Sequence, residues 1–64
     1  MKNQQQTIRA WARHWSDATL ARHIARLRSI AADWRHQTLT DMVAAADAAA
    51  VLSGVQRRRR EERP

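Results

Sequence analysis

Two stripes of apolar side chains at helical spacing occupy the first half of this 64-residue chain. One recurs at steps of four and three residues and consists of Leu20, Ile24, Leu27, Ala31 and Trp34. The other consists of Ile8, Trp11 and Trp15. On a straight helix the second stripe lies about 120° from the first, since each residue turns the helix by ~100°. No proline or glycine interrupts this half, so the pattern predicts one long helix over residues 5–35.

Ser16 and Asp17 allow a different interpretation of the same segment. Both residue types favour the N-cap position of a helix, where the side chain accepts a backbone hydrogen bond. A break at this point divides the chain into three helices, over residues 5–15, 17–35 and 39–52. We favour the continuous helix, because a helix interior also tolerates the residues at 17–19.

A second helix is predicted over residues 39–53, after a loop at residues 36–38. Thr38 is followed three residues later by Asp41, which resembles a capping box at a helix start. The apolar stripe of this helix comprises Leu39, Met42, Val43, Ala46 and Ala50. Gly54 suits the left-handed conformation that closes a helix. An alternative continues the helix through Arg60, since one glycine costs only about 1 kcal/mol.

Two helices joined by a short loop form an antiparallel helical hairpin, so the predicted fold class is all-α. A single hairpin has one seam and cannot cover both faces of either helix. Dimerisation into a four-helix bundle is the simplest closure, and the absence of cysteine excludes disulfides as another source of stability. The residues assigned to the hairpin or dimer core are Leu20, Ile24, Leu27, Trp34, Leu39, Met42, Val43, Ala46 and Ala50.

The net charge of +6 is unevenly distributed along the chain. Between residues 3 and 56, six arginines and four aspartates leave a balance of only +2. The last eight residues, RRRREERP, contribute +3, and Lys2 supplies the remainder. We therefore divide the chain into a helical domain over residues 1–56 and a flexible basic tail over residues 57–64, whose arginines serve solubility or contact phosphate.

A continuous first helix places Ile8, Trp11, Trp15, Arg22 and Arg26 on a common side. One interpretation packs the two tryptophans into a dimer core, where they supply much apolar area. A second makes these five residues a docking surface for a protein, because Trp and Arg are enriched among the residues that dominate interface affinity. A third is nucleic-acid binding, in which indoles stack on unpaired bases. The arginines available for phosphate contacts are Arg9, Arg13, Arg22, Arg26, Arg57, Arg58, Arg59 and Arg60.

Catalytic and metal-binding patterns are absent from the sequence. It has no cysteine or tyrosine, and its serines form no set with a base, so we expect no enzyme, no cofactor and no resident metal. His14, His23 and His36 are nine and thirteen residues apart, which matches no compact zinc pattern. We expect His14 with Asp17, and Asp33 with His36, to face solvent or form local salt bridges, and His23 to be buried.

The most apolar stretch, at residues 42–52, is about half of the ~20 residues that cross a membrane, and it contains Asp47. Residues 1–6 lack the apolar stretch of a secretory signal, so we expect a cytoplasmic protein without membrane contact. The function expected from these patterns is that of a small homodimeric regulator, an inhibitor or adaptor that binds another protein. The alternative is an RNA- or DNA-binding helical hairpin.

Overall fold

The protein folds into three α-helices connected by short turns. A computed structural model describes the backbone of residues 4–63 and the side chains of residues 6–63. Helix α1 spans Gln4–Ala12, α2 spans Asp17–Ala32 and α3 spans Leu39–Glu62, and the described residues contain no strand. The all-α class is therefore confirmed. The predicted hairpin has two helices, whereas the described residues form three. Residues 1–3 and 64, assigned above to the domain and the basic tail, lie outside the described residues.

A break at Ser16 interrupts the predicted long helix. Ser16 has an extended backbone, with φ −67° and ψ 164°, and its side-chain oxygen accepts a hydrogen bond from the Thr19 backbone N–H at 3.1 Å. Asp17 follows in the first turn, where its negative charge interacts favourably with the helix dipole. The continuous helix over residues 5–35 is thus wrong, and the alternative break at Ser16 and Asp17 occurs.

The break brings part of each apolar stripe of the first half into one core. A cluster of buried side chains consists of Ala12, Leu20, Ile24 and Leu52. Packed against it are the partly buried Ile8, Trp15, Leu27 and Val55. On a straight helix, Ile8 and Trp15 would point about 120° away from Leu20. The turn at residues 13–16 removes that offset, so α1 and α2 both bury apolar side chains against α3.

Helix α3 is 24 residues long and packs against both α2 and α1. Its N-cap is the predicted one, because the Thr38 hydroxyl accepts a hydrogen bond from the Asp41 backbone N–H at 3.1 Å. The helix does not end at Gly54, since no described glycine has a positive φ and the helix continues to Glu62. The predicted end at residue 53 is therefore wrong, and the helix continues through Arg60 as in the alternative. Residues 57–62 of the predicted tail are helical, and their flexibility stays a prediction.

Two polar contacts orient α2 and α3 in opposite directions. Arg28, in the second half of α2, donates a hydrogen bond to Ser53 Oγ at 3.1 Å. Asp17, at the start of α2, accepts a hydrogen bond from Arg59 near the end of α3 at 3.0 Å. The start of α2 therefore lies beside the end of α3.

Only part of the predicted core is buried within the chain. Leu20 and Ile24 are buried, and Leu27 and Met42 are half-buried. The other five residues are exposed in the single chain: Trp34, Leu39, Val43, Ala46 and Ala50. Helix α3 instead buries a different part of its surface, formed by Ala45, Ala49, Val51 and Leu52. The stripe predicted as core is therefore the outer face of α3, and its place in a dimer core stays a prediction.

Candidate functional site

Arginines from opposite ends of the chain line one groove. The arginines come from α1 and the turn after it and from the last turns of α3, and they are Arg9, Arg13, Arg57, Arg58 and Arg59. The groove has a volume of about 680 Å³, and its other lining residues are Gly54, Val55, Glu61 and Glu62. Five arginines and two glutamates leave a net charge of +3 on what we call the arginine groove.

The packing of α1 against α3 explains how these arginines meet. Ile8 and the middle of α3 line a common groove, and the Ala12 carbonyl accepts a hydrogen bond from Arg59, so α1 runs in the same direction as α3. The backbone N–H of Arg13 donates to the Arg9 carbonyl at 3.1 Å, which extends the helical turn to Arg13. Residues four apart share one side of a helix. Arg9 and Arg13 therefore project together from the flank of α1 nearest the end of α3.

Four of the five arginines have no carboxylate partner among the described residues. Within the described side chains, no carboxylate oxygen lies within 4.0 Å of the guanidinium nitrogens of Arg9, Arg13, Arg57 or Arg58. All four side chains are exposed. Like charges held at one groove produce a local positive potential that raises the concentration of anions there.

Arg59 has a structural role that differs from that of the other four. Its guanidinium donates hydrogen bonds to the Ala12 carbonyl oxygen at 2.8 Å and to Asp17 Oδ1 at 3.0 Å. Its side chain is only 24% exposed, and Arg63 forms a second ion pair with Asp17. Arg59 thus connects the end of α1, the start of α2 and the end of α3.

The arginines predicted for nucleic-acid contacts are divided by the fold. Five of them line the arginine groove, as described above. Arg60 is exposed on α3 outside the groove, and Arg22 and Arg26 are exposed on α2, also outside it. The sequence therefore did not indicate which of these arginines lie together, and their contact with nucleic acid stays a prediction.

The predicted Trp/Arg docking surface is not one continuous stripe. Ile8 and Trp15 pack against the buried cluster, so little of either is free for a partner. Trp11 is 64% exposed but belongs to α1, whereas Arg22 and Arg26 belong to α2. The prediction assumed a straight helix, and the turn at residues 13–16 separates the two halves of the stripe.

Replacing Trp11 or Trp15 with alanine should have different effects on the free energy of unfolding. Trp15→Ala removes a half-buried ring from the core and should lower the free energy of unfolding by about 2 kcal/mol. Trp11→Ala should change it by less than ~0.5 kcal/mol, because the exposed indole contributes little packing. Urea denaturation followed by circular dichroism measures both. Equal losses would show that Trp11 also belongs to the core.

The histidines and acidic residues form no metal site in the described part of the chain. No group of three or more His, Cys, Asp or Glu side chains lies close enough to hold a metal ion there. His36 Nδ1 lies 2.9 Å from Asp33 Oδ1, which is one of the local pairs that the spacing predicts. His23 is exposed, contrary to prediction, because it lies about 100° around α2 from the buried Ile24. The Trp15 ring stacks on one face of the imidazole at a centroid distance of 4.3 Å.

Comparisons with known proteins give no relative. No protein-family model matches the chain, and no curated protein and no solved structure matches it. Within residues 4–63, no helix combines the length and the apolar character needed to cross a membrane. The arginine groove and the exposed apolar side chains are therefore the features from which a function is inferred.

Proposed function

We propose that this chain is a small non-enzymatic protein that binds nucleic acid along the arginine groove. The observation that carries the proposal is the convergence of Arg9 and Arg13 with Arg57 and Arg58, none of which pairs with a carboxylate in the described structure. Cationic groups in a row match the regular spacing of backbone phosphates. Binding releases the counterions condensed on the nucleic acid, which supplies much of the affinity.

The arrangement favours contacts to the phosphate backbone over recognition of bases. Guanidinium groups bind phosphate oxygens in a planar, bidentate geometry, and such contacts position a protein without reading sequence. Trp11, the exposed indole of α1, is not among the residues that line the arginine groove. Base stacking therefore has no aromatic platform inside the groove. Glu61 and Glu62 limit the positive stretch at the end of α3.

Salt dependence tests this function directly. With three to four phosphate contacts, the slope of log affinity against log salt concentration should be near −3 for a short labelled DNA duplex, at about 0.9 per contact. A rise from 50 to 200 mM salt should then weaken binding roughly 50-fold. The double substitution Arg9→Gln and Arg13→Gln should reduce the slope to about −1. Fluorescence anisotropy titrations over a salt series measure these values.

The pair Arg22 and Arg26 provides a matched control. These arginines are also four residues apart and exposed, but they lie on α2 outside the groove. Arg22→Gln with Arg26→Gln removes the same charge and should leave the slope unchanged. An equal change in both double variants would assign binding to net charge alone. A flat salt response of the natural chain would exclude nucleic acid as the ligand.

A second candidate function is the binding of a protein, as an inhibitor or adaptor. It is supported by two exposed indoles, Trp11 and the 70% exposed Trp34, whose ring lies 5.1 Å from the Arg35 guanidinium carbon. Trp and Arg side chains are enriched among interface residues with large energetic effects. Affinity purification from nuclease-treated extract, with Trp11→Ala as the control, separates this function from the first. A protein retained by the natural chain and lost with Trp11→Ala supports it.

A further inference from the structure

The outer face of α3 is an apolar surface without a partner in the described chain. We use this name for Leu39, Val43, Ala46, Ala50 and Gly54, which recur at steps of three and four residues and so share one side of the helix. Helices α1 and α2 pack on the other sides of α3. Leu39 is 72% exposed and Val43 is 51% exposed, and Ala46 and Ala50 are also exposed.

The buried core of the described chain is small, so the exposed outer face of α3 leaves unburied apolar surface that the fold needs for stability. Seven described residues are buried hydrophobics, and three of them are alanines, which leaves Leu20, Ile24, Val51 and Leu52 as the larger ones. Chains of this size rarely bury enough apolar surface alone, and oligomerisation is a common addition. Covering Val43, Ala46 and Ala50 therefore adds burial that the single chain lacks.

The charges along α3 are arranged so that a second copy of the helix, running antiparallel, is electrostatically complementary to it. Residues 39–56 contain Asp41 and Asp47 and no basic residue, which gives −2. The following residues 57–63 contain five arginines and two glutamates, which gives +3. Two antiparallel copies of α3 place acidic halves against basic ones, and their helix dipoles also oppose each other. A parallel arrangement would place like charges together.

Gly54 lies on the same face, inside the helix. A Cβ built at this position meets nothing within 4 Å, so the three-helix fold itself does not require a glycine there. Glycine inside a helix is less favourable than alanine by roughly 1 kcal/mol. The missing side chain does permit close approach of another backbone to α3.

From these four observations we propose that a second copy of this chain docks antiparallel on the outer face of α3. In the register that places Gly54 opposite Ala50 of the other copy, Asp47 lies opposite Arg57. Twofold symmetry repeats this ion pair at the other end of the interface. Arg57 borders the arginine groove, which keeps Arg9, Arg13 and Arg58 in such a dimer. The proposal rests on observations other than those that carry nucleic-acid binding, and it withdraws Gly54 and Arg57 from the arginine groove.

Sedimentation without nucleic acid tests the dimer. The natural chain at about 100 μM should sediment with twice its 7.4 kDa mass. Ala50→Glu places two carboxylates at the centre of the interface, near the symmetry axis, and should raise the dimer dissociation constant at least ~10-fold. Its matched control is Ala25→Glu on the exposed surface of α2, which should sediment like the natural chain. Circular dichroism verifies that both variants keep their helicity.

A charge exchange tests the direction of the helices. Asp47→Arg alone and Arg57→Asp alone should each weaken the dimer, since each replaces both ion pairs of the twofold interface with pairs of like charges. The double variant should restore it, because the ion pair re-forms with reversed polarity. A natural chain that stays at 7.4 kDa overturns the proposal, as does a dimer that Ala50→Glu does not weaken. A double variant weaker than both single variants overturns the antiparallel arrangement.

Discussion

Leu20→Ala is expected to remove most of the stability of this fold. Leu20 is fully buried, and with Leu52 it is one of the two largest fully buried side chains. Leucine-to-alanine changes at such positions cost about 3 kcal/mol, from lost apolar transfer and the cavity that remains. A domain of this length has only about 3–10 kcal/mol of stability in total. The melting temperature should therefore fall by roughly 15–20 °C, measured by circular dichroism.

Leu39→Ala makes the same chemical change on the outer face of α3. Leu39 is exposed, so its truncation should alter the free energy of unfolding by less than ~0.5 kcal/mol at concentrations where the chain is monomeric. The difference between the two variants isolates the contribution of burial. If Leu20→Ala and Leu39→Ala lowered the free energy of unfolding equally, Leu20 would not be more buried than Leu39, contrary to the structure.

The helix starts were predictable because short-range chemistry determines them. Thr38 accepts the hydrogen bond expected of an N-cap, and Ser16 does the same at the start of α2. At Ser16 the sequence left a choice between a cap and a helix interior. Long-range packing decides it, since only a turn at residues 13–16 allows Ile8 and Leu20 to contribute to one core. No local pattern contains that information.

The buried face of α3 was not predictable from apolar periodicity. The helix is rich in alanine and contacts neighbours on two sides, so apolar residues occur around most of its circumference. The stripe that begins at Leu39 and Val43 has larger side chains than the Ala45 and Ala49 positions, yet the smaller residues are buried. Small residues permit the close packing of α2, and the larger ones remain outside.

The end of α3 shows a local signal overruled by tertiary contacts. Gly54 predicts a helix end, but Val55 packs on the core and Arg59 is bound by two other segments. The arginines of the groove were candidates for phosphate contacts from the sequence, and that function stays a prediction. Their convergence depends on the direction of α1, which follows from packing rather than from any motif. The structural role of Arg59 had no signature in the run of four arginines.

Arg59→Met is expected to destabilise the fold, although methionine is similar in length to the aliphatic part of the arginine side chain. The variant loses the hydrogen bonds to the Ala12 carbonyl and to Asp17, and the carbonyl keeps only the hydrogen bond from the Trp15 backbone N–H. A hydrogen bond from a charged group contributes about 1.5–3 kcal/mol when buried, and Asp17 is half exposed, so we expect a total loss of about 2 kcal/mol. The melting temperature should fall by roughly 10 °C. Hydrogen exchange should also accelerate in α1, because Arg59 connects α1 to α3.

Arg60→Met is the matched control, one residue along the same helix and exposed. It should change stability by less than ~0.5 kcal/mol, so an equal effect of both variants would show that the Arg59 contacts contribute nothing specific. A double-mutant cycle with Asp17→Asn then separates the two contacts of Arg59. The coupling between Arg59 and Asp17 should be about 0.5–1 kcal/mol, because solvent screens this partly exposed pair. The larger remainder is then the contribution of the Ala12 carbonyl, and a coupling equal to the full loss would instead assign the stabilisation to the ion pair.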